Sequence, residues 1–185
     1  MTIFLTILTI LSSFLANLET KTLQSDFVVT VRGSADTPMN YPGQLTMSGQ
    51  CFRLTMLNIE AAFDGKTMYM YSGETDELTL TNPTQQELIE TNPFLYAKTM
   101  SDLCTVTERT EGEQTVVTLT PEDQSAGIHR FVLKIRTRDL IPLQLEIKEA
   151  QKTSTLQMTN PAFISERPEY IIHPEKDTYI NDMRL

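Results

Sequence analysis

Alternation of apolar and polar side chains constrains this chain more than any other feature, because it recurs in about eleven short runs separated by turn-forming residues. Phe27, Val29 and Val31 alternate with Val28, Thr30 and Arg32, and Gly33 ends the run. A period of two places alternate residues on opposite faces of a strand. The segment SADTPMNYPG reads as a turn, after which Leu45 and Met47 alternate with Gln44, Thr46 and Ser48 up to Ser48-Gly49. Phe52, Leu54 and Met56 share the next face, followed by Ile59, Ala61 and Phe63, and Asp64-Gly65 is a strong hairpin signal. Thr67, Tyr69 and Tyr71 alternate with Met68 and Met70, and Glu77 to Thr81 returns as a further short strand. Five more runs follow near 102–109, 113–120, 129–136, 141–149 and 152–159, with Ile141, Leu143, Leu145 and Ile147 the clearest set. The tail beyond is punctuated by proline and carries two short extended pieces. Short strands joined by tight turns predict one antiparallel meander.

Two segments break this rhythm. In NPTQQELIETNPFLYAKT (residues 82–99), Asn82-Pro83 and Asn92-Pro93 each read as a helix cap followed by proline at the first helical position. Two short helices are expected, carrying Leu88, Ile89, Phe94, Leu95 and Tyr96. At the N-terminus, Thr2, Thr6, Thr9, Ser13, Asn17 and Thr20 recur at helical spacing, with Leu8, Leu11, Leu15 and Leu18 on the other side. That favours an amphipathic helix packed on the domain. Residues 3–11, IFLTILTIL, also suit the apolar core of a secretory leader, although no Lys or Arg precedes them, so residues 1–16 stay open to that alternative. The expected architecture is mainly β (α+β): a single domain over residues 1–185 whose large antiparallel sheet curls under a cover of short helices.

Charge and chemistry exclude several functions. A net charge of −9 without a Lys/Arg cluster argues against nucleic acid and against steady residence on an anionic bilayer. Cys51 and Cys104 are too few for a disulfide scaffold and match no zinc or redox spacing. Two half-buried free thiols are the simpler reading; a bridge between them stays open. His129 and His173 lack neighbours at metal spacing, and no nucleophile elbow, P-loop or dinucleotide fingerprint occurs. The reading is therefore a binding protein, without enzymatic activity, metal or cofactor.

Nine methionines are the unusual count, and Met47, Met56, Met68, Met70 and Met158 fall in expected strands. Met fills gaps in ordinary cores, and each one taken singly has that explanation. As a set, such unbranched, polarizable side chains also suit a wall that re-packs around differing apolar ligands.

The ordered segments GQLTMSGQCFRLTML, IEAAFDGKTMYMYSGETDELTLTNPT and NPFLYAKTM, with the closing YIIHPEKDTYINDMR, resemble the LolA family of periplasmic outer-membrane lipoprotein carriers. The similarity runs over nearly the whole chain from about residue 8, and its more specific parts are the DGKT hairpin and the final Asp182-Met183-Arg184. It implies an open, unclosed antiparallel β-barrel of about eleven strands, a lid of short helices, and a hydrophobic cavity for lipoprotein acyl chains. The implied partners are acylated lipoproteins and an inner-membrane lipoprotein exporter, in the periplasm of a Gram-negative bacterium, with delivery by a monomer to the outer membrane. Where enterobacterial members carry an arginine after the second strand that bonds the lid shut, this chain reads Met47-Ser48-Gly49-Gln50. Lid control and a dedicated outer-membrane acceptor are thereby left open. The expected acyl-chain wall is Met47, Phe52, Leu54, Met56, Ile59, Phe63, Met68 and Met70 from the strands, with Leu88, Phe94 and Leu95 from the helices. Two rival readings are a lipid-binding or envelope-sensing protein of the same fold, and a module plugged by its own helices.

Overall fold

Tight turns after nearly every apolar run leave the chain only neighbouring strands to pair with, and the sheet order follows. In the structure, a computed structural model that describes residues 9–33, 37–123 and 127–184, β1 (Thr22–Gly33), β2 (Met39–Ser48), β3 (Cys51–Met56), β4 (Ile59–Phe63), β5 (Met68–Ser72) and β6 (Glu77–Thr81) form one antiparallel meander. A second meander comprises β7 (Cys104–Glu111), β8 (Gln114–Pro121), β9 (Ile128–Arg136), β10 (Ile141–Glu149) and β11 (Lys152–Ile164). Pairing of β1 with β11 joins the two into one sheet. A twelfth strand, β12 (Tyr179–Asp182), adds to β6 in parallel. The order is β12-β6-β5-β4-β3-β2-β1-β11-β10-β9-β8-β7, and the outer strands β12 and β7 do not pair, so the sheet is not closed.

Three helices lie on the inner face. α1 (Ile10–Thr20) starts at Thr9, whose side chain accepts from the Ser12 N–H, and it buries Leu11, Phe14 and Leu18. α2 (Gln85–Thr91) buries Leu88, and α3 (Pro93–Met100) buries Phe94, Leu95, Tyr96 and Ala97. These side chains share one apolar cluster with Leu23, Phe27, Met47, Phe52, Phe131 and Leu133 of the sheet. A smaller cluster on the outer face seats Ile172 of the tail against Ala62, Tyr69, Leu78 and Leu80.

The structure corrects the sequence reading at four places. Residues 39–43 extend β2 and are no turn; β3 pairs with β2 only from Gly43 on, so Pro42, without an N–H, has an unpaired side to present. α2 is capped at Thr84, not Asn82: Glu87 N–H donates to the Thr84 hydroxyl while the Glu87 carboxylate accepts from Thr84 N at 2.7 Å, a reciprocal pair that fixes the start of the helix. A 3-10 turn at Ser101–Leu103 delays β7 to Cys104. The tail supplies one strand rather than two, since residues 166–173 bind through Tyr170 and Ile172 side chains without ladder pairing. Leu8, Thr2 and Thr6, assigned to the first helix by spacing, lie outside the described residues. Cys51 and Cys104 are both free.

Candidate functional site

Cross-strand register decides what the inner face presents. Met47 pairs with Phe52, Phe52 with Phe63 and Phe63 with Met68, which makes one continuous row across β2 to β5. One step along, Leu45, Leu54, Ala61 and Met70 form a second row; a further step gives Gly43, Met56 and Ile59. All eight strand residues expected to form the acyl wall therefore share one face. They do not share one environment. Met47, Phe52, Phe63 and Met68 are fully buried. Leu54 and Met56 are half-buried, while Met70 and Ile59 are 38% and 45% exposed.

The helices cause that gradient. Leu88, Phe94 and Leu95 are buried in the same cluster as the first row, and Phe14 meets Phe94 with ring centroids 6.0 Å apart. These side chains fill the space above Met47 and Phe52, so that part of the wall faces helix rather than an open tunnel. No arginine holds this cover at the β2–β3 turn; other groups do. The Gly49 N–H donates to the Leu18 carbonyl at 2.6 Å, and Lys98 of α3 pairs with Glu19 of α1 at 2.5 Å. The Glu108 carboxylate of β7 accepts from the Ile10 and Leu11 N–H groups at 3.1 and 2.9 Å, an anion at the positive end of α1. At the other end Arg167 donates to the Glu19 carbonyl at 2.9 Å.

An apolar cleft of about 510 Å³ opens between the lid helices and β9–β11. Ile89, Pro93, Tyr96 and Met100 form its helical wall together with Gln86 and Glu90, and Ile128 and Ile147 form its sheet wall together with Glu149, Lys152 and Ser154. Tyr96 stacks on Phe131 at 5.3 Å. Burial pushes the Tyr96 hydroxyl up to about 12, reinforced by Cys104, so the ring lines the cleft uncharged. None of the eleven residues expected from sequence lines this cleft. Alternation had placed Ile147 in an expected strand, and the two Asn-Pro starts had placed Ile89 and Tyr96 on the expected helices. The methionine count pointed instead to β2–β5. A second hollow of about 560 Å³, lined by Gln24, Thr46, Ile164, Glu166, Arg167 and Pro168, is of mixed polarity and lies on the outer face. Among the described residues, no helix is long and apolar enough to cross a membrane, and no cluster of three or more His, Cys, Asp or Glu could hold a metal.

Comparison with known proteins places this geometry. Residues 19–165 match the family model described as "Outer membrane lipoprotein carrier protein LolA". A search of curated proteins gives no match. Among solved structures, an uncharacterized conserved protein from Thermus thermophilus superposes with a TM-score of 0.61 at 11% identity, covering 93% of this chain and 96% of that one. The MucA/MucB complex structure of Pseudomonas aeruginosa gives 0.52 at 16% identity, covering 86% of this chain and 58% of that one. At such identities the likeness is one of fold.

Proposed function

The chain belongs to the LolA family of outer membrane lipoprotein carrier proteins, and from that premise we propose that it carries the acyl chains of lipoproteins between the membranes of a Gram-negative envelope. The observation that carries the reading is the apolar cleft between short helices and the sheet. Its volume of about 510 Å³ falls within the span of roughly 300–1,000 Å³ typical of small-molecule sites. An acyl chain needs no hydrogen-bond geometry; each buried methylene contributes about 0.8 kcal/mol. Cargo enters beside Ile147 and Tyr96, and further length is accommodated as α2 and α3 lift from the row of Met47, Phe52, Phe63 and Met68. The partners are acylated lipoproteins and an inner-membrane exporter, and the site of action is the periplasm.

Binding of a synthetic triacylated peptide tests this directly. The wild-type chain should bind it, and Ile147→Glu at the cleft and Leu54→Glu on the half-buried second row should each abolish binding while the protein stays folded. A carboxylate facing the acyl chain costs several kcal/mol unless hydrated. Retained binding in both variants overturns the site. Absence of binding by the wild-type chain favours the plugged module, a reading supported by Phe14 and Phe94 filling the inner face.

A further inference from the structure

We propose that the outer face of the sheet carries a second binding site, a trough between β1, β2, β11 and the tail that takes a neutral oligosaccharide. Two adjoining hollows form it. One of about 560 Å³ reaches from Gln24 and Thr46 to Arg167. The other, of about 350 Å³, shares Gln24 and Thr46 and continues to Asp26, Gln44 and Asn160. A bulge underlies the second. Gln24 pairs with Ala162 and Asp26 with Thr159, so Ser25 alone stands opposite Asn160 and Pro161. Asn160 has φ 52°, a left-handed conformation that Asn adopts more readily than most residues. The Ser25 hydroxyl donates to the Thr159 carbonyl at 3.0 Å and ties the bulge to β1. Bulges bend a strand and re-aim its side chains, and they are frequent beside functional sites.

Three buried hydroxyls at the covered end of the trough call for an occupant. Thr22, Ser48 and Tyr170 are 0%, 7% and 8% exposed, and their hydroxyls have no hydrogen-bond partner. The Thr22 and Tyr170 hydroxyls neighbour each other without completing a bond of normal geometry. Thr22 and Ser48 lie two residues from Gln24 and Thr46 on the same face, and Thr22 pairs with Ile164, which lines the larger hollow. Tyr170 covers them from the tail, two residues after Pro168 at the edge of that hollow. Buried hydroxyls without partners are costly and rare. Residues 166–173 have no ladder pairing, and Arg167 fastens them to the Glu19 carbonyl at 2.9 Å. A ligand group sliding beneath this tail reaches the three hydroxyls.

The lining selects the ligand. Its amides and hydroxyls both donate and accept, as every hydroxyl of a sugar ring does. Its ionisable groups are Asp26, Glu166 and Arg167, two carboxylates to one guanidinium in a chain of net charge −9, which disfavours an anion. Asp26 already accepts from the Gln44 amide at 2.9 Å, and Arg167 is engaged at Glu19, so neither presents a bare charge. Ile164, Pro168 and Ala162 add apolar surface for the C–H face of a ring. No residue of the trough lines the acyl cleft, so the two sites are independent.

Maltotriose, cellotriose and tri-N-acetylchitotriose, each titrated into the full-length protein and followed by NMR, test the site. At least one should bind with a Kd of about 1 mM, as a few net hydrogen bonds in an open trough supply. Amide signals of Gln24, Thr46 and Asn160 should shift, and those of Ile89 and Ile147 in the acyl cleft should stay in place. Gln24→Ala and Ser48→Ala should each weaken binding roughly three- to tenfold. Ala162 is exposed, so Ala162→Tyr should block the trough while the urea midpoint and triacylated-peptide binding hold at wild-type values. Binding by none of the three saccharides, undiminished binding in all three variants, or a response to inorganic phosphate or spermidine in their place overturns the site.

Discussion

Asn92 is the joint of the helical cover, and its replacement by alanine should open that cover without unfolding the sheet. The residue is 1% exposed. Its side-chain oxygen accepts from the Phe94 N–H at 3.1 Å and so caps α3, while its own N–H donates to the Leu88 carbonyl at 2.9 Å and closes α2. Its amide also points at the Met47 sulfur, 3.9 Å away in the first row of the sheet. Alanine removes a cap worth about 0.5–2 kcal/mol and leaves the Phe94 N–H buried without a partner, at about 1–3 kcal/mol. The two descriptions overlap, so the combined loss is about 2 kcal/mol, or roughly thirtyfold in an opening equilibrium. Native-state hydrogen exchange is the assay. Amides of Phe94, Leu95 and Asn92 should exchange roughly thirtyfold faster, with those of Leu119 and Leu133 in β8 and β9 unchanged, and Asn92→Ser should recover most of the protection. Equal acceleration in helices and strands would mean that α2 and α3 open only with the whole domain, and the lid reasoning fails.

Three other measurements probe separate parts of the structure. Gly43→Ala should destabilise the protein by about 1–3 kcal/mol in urea, because a Cβ there would sit 2.4 Å from the Phe27 ring and 2.5 Å from the Thr55 carbonyl; an unchanged midpoint would show that Phe27 is free to move. Glu108→Ala should lose about 0.5–1 kcal/mol of local stability in α1, read as faster exchange at Ser13 and Phe14, since the first turn of that helix has no acidic residue of its own. For Asp64, burial alone raises the carboxyl, but N–H groups of Lys66 and Thr67 at 2.8 Å and the Tyr69 hydroxyl at 3.1 Å outweigh it and hold the group below 3.8. Being depressed in the folded state, this group stabilises the β4–β5 hairpin above its unfolded value and loses that contribution as pH falls through the folded one; an NMR titration midpoint at or above 3.8 would contradict the geometry.

Much of the fold was legible because strand alternation is a local signal. Parity grouped Phe52 with Leu54 and Met56, Ile59 with Phe63, and Met68 with Met70 strand by strand, and the register puts these groups and Met47 on one face. Parity says nothing about which row a helix will cover, and so the split between buried Phe52 and exposed Ile59 was not readable. Helix ends were legible where one cap dominates, as at Asn92-Pro93, and misread where Thr84 and Asn82 competed, because the winner depends on whether Glu87 turns back to the cap. The β1–β11 closure of the two meanders and the parallel docking of β12 are long-range pairings, for which four residues of the tail carry too little pattern. The cleft joins Ile89 and Tyr96 of the insertion to Ile128 and Ile147 of the second meander, residues that no single segment brings together.

A filled inner face and a carrier's task are compatible when the two occupants are nearly equivalent. Phe14, Leu18, Phe94 and Leu95 now cover the sheet, and burying side chains of this kind contributes about 1.5–3 kcal/mol each. Lifting two or three of them therefore costs about 3–9 kcal/mol. An acyl chain of about sixteen carbons would return up to about 12 kcal/mol at 0.8 kcal/mol per methylene. The difference leaves holding favourable and reversible, which a rigid, permanently empty tunnel would not: its unfilled walls would lose packing contacts in every cargo-free interval. The sheet can follow such an exchange because β7 and β12 are not bonded to each other. The fastenings of α1 through Glu108, Gly49 and Arg167 are polar and lie at its ends, whereas α3 meets α1 through the Phe14–Phe94 ring contact and a single polar tie, the largely exposed pair of Lys98 with Glu19. An exposed pair of that kind contributes at most about 1 kcal/mol. The proposed carrier function therefore predicts that α2 and α3 yield before α1, on the side where the cleft stands open.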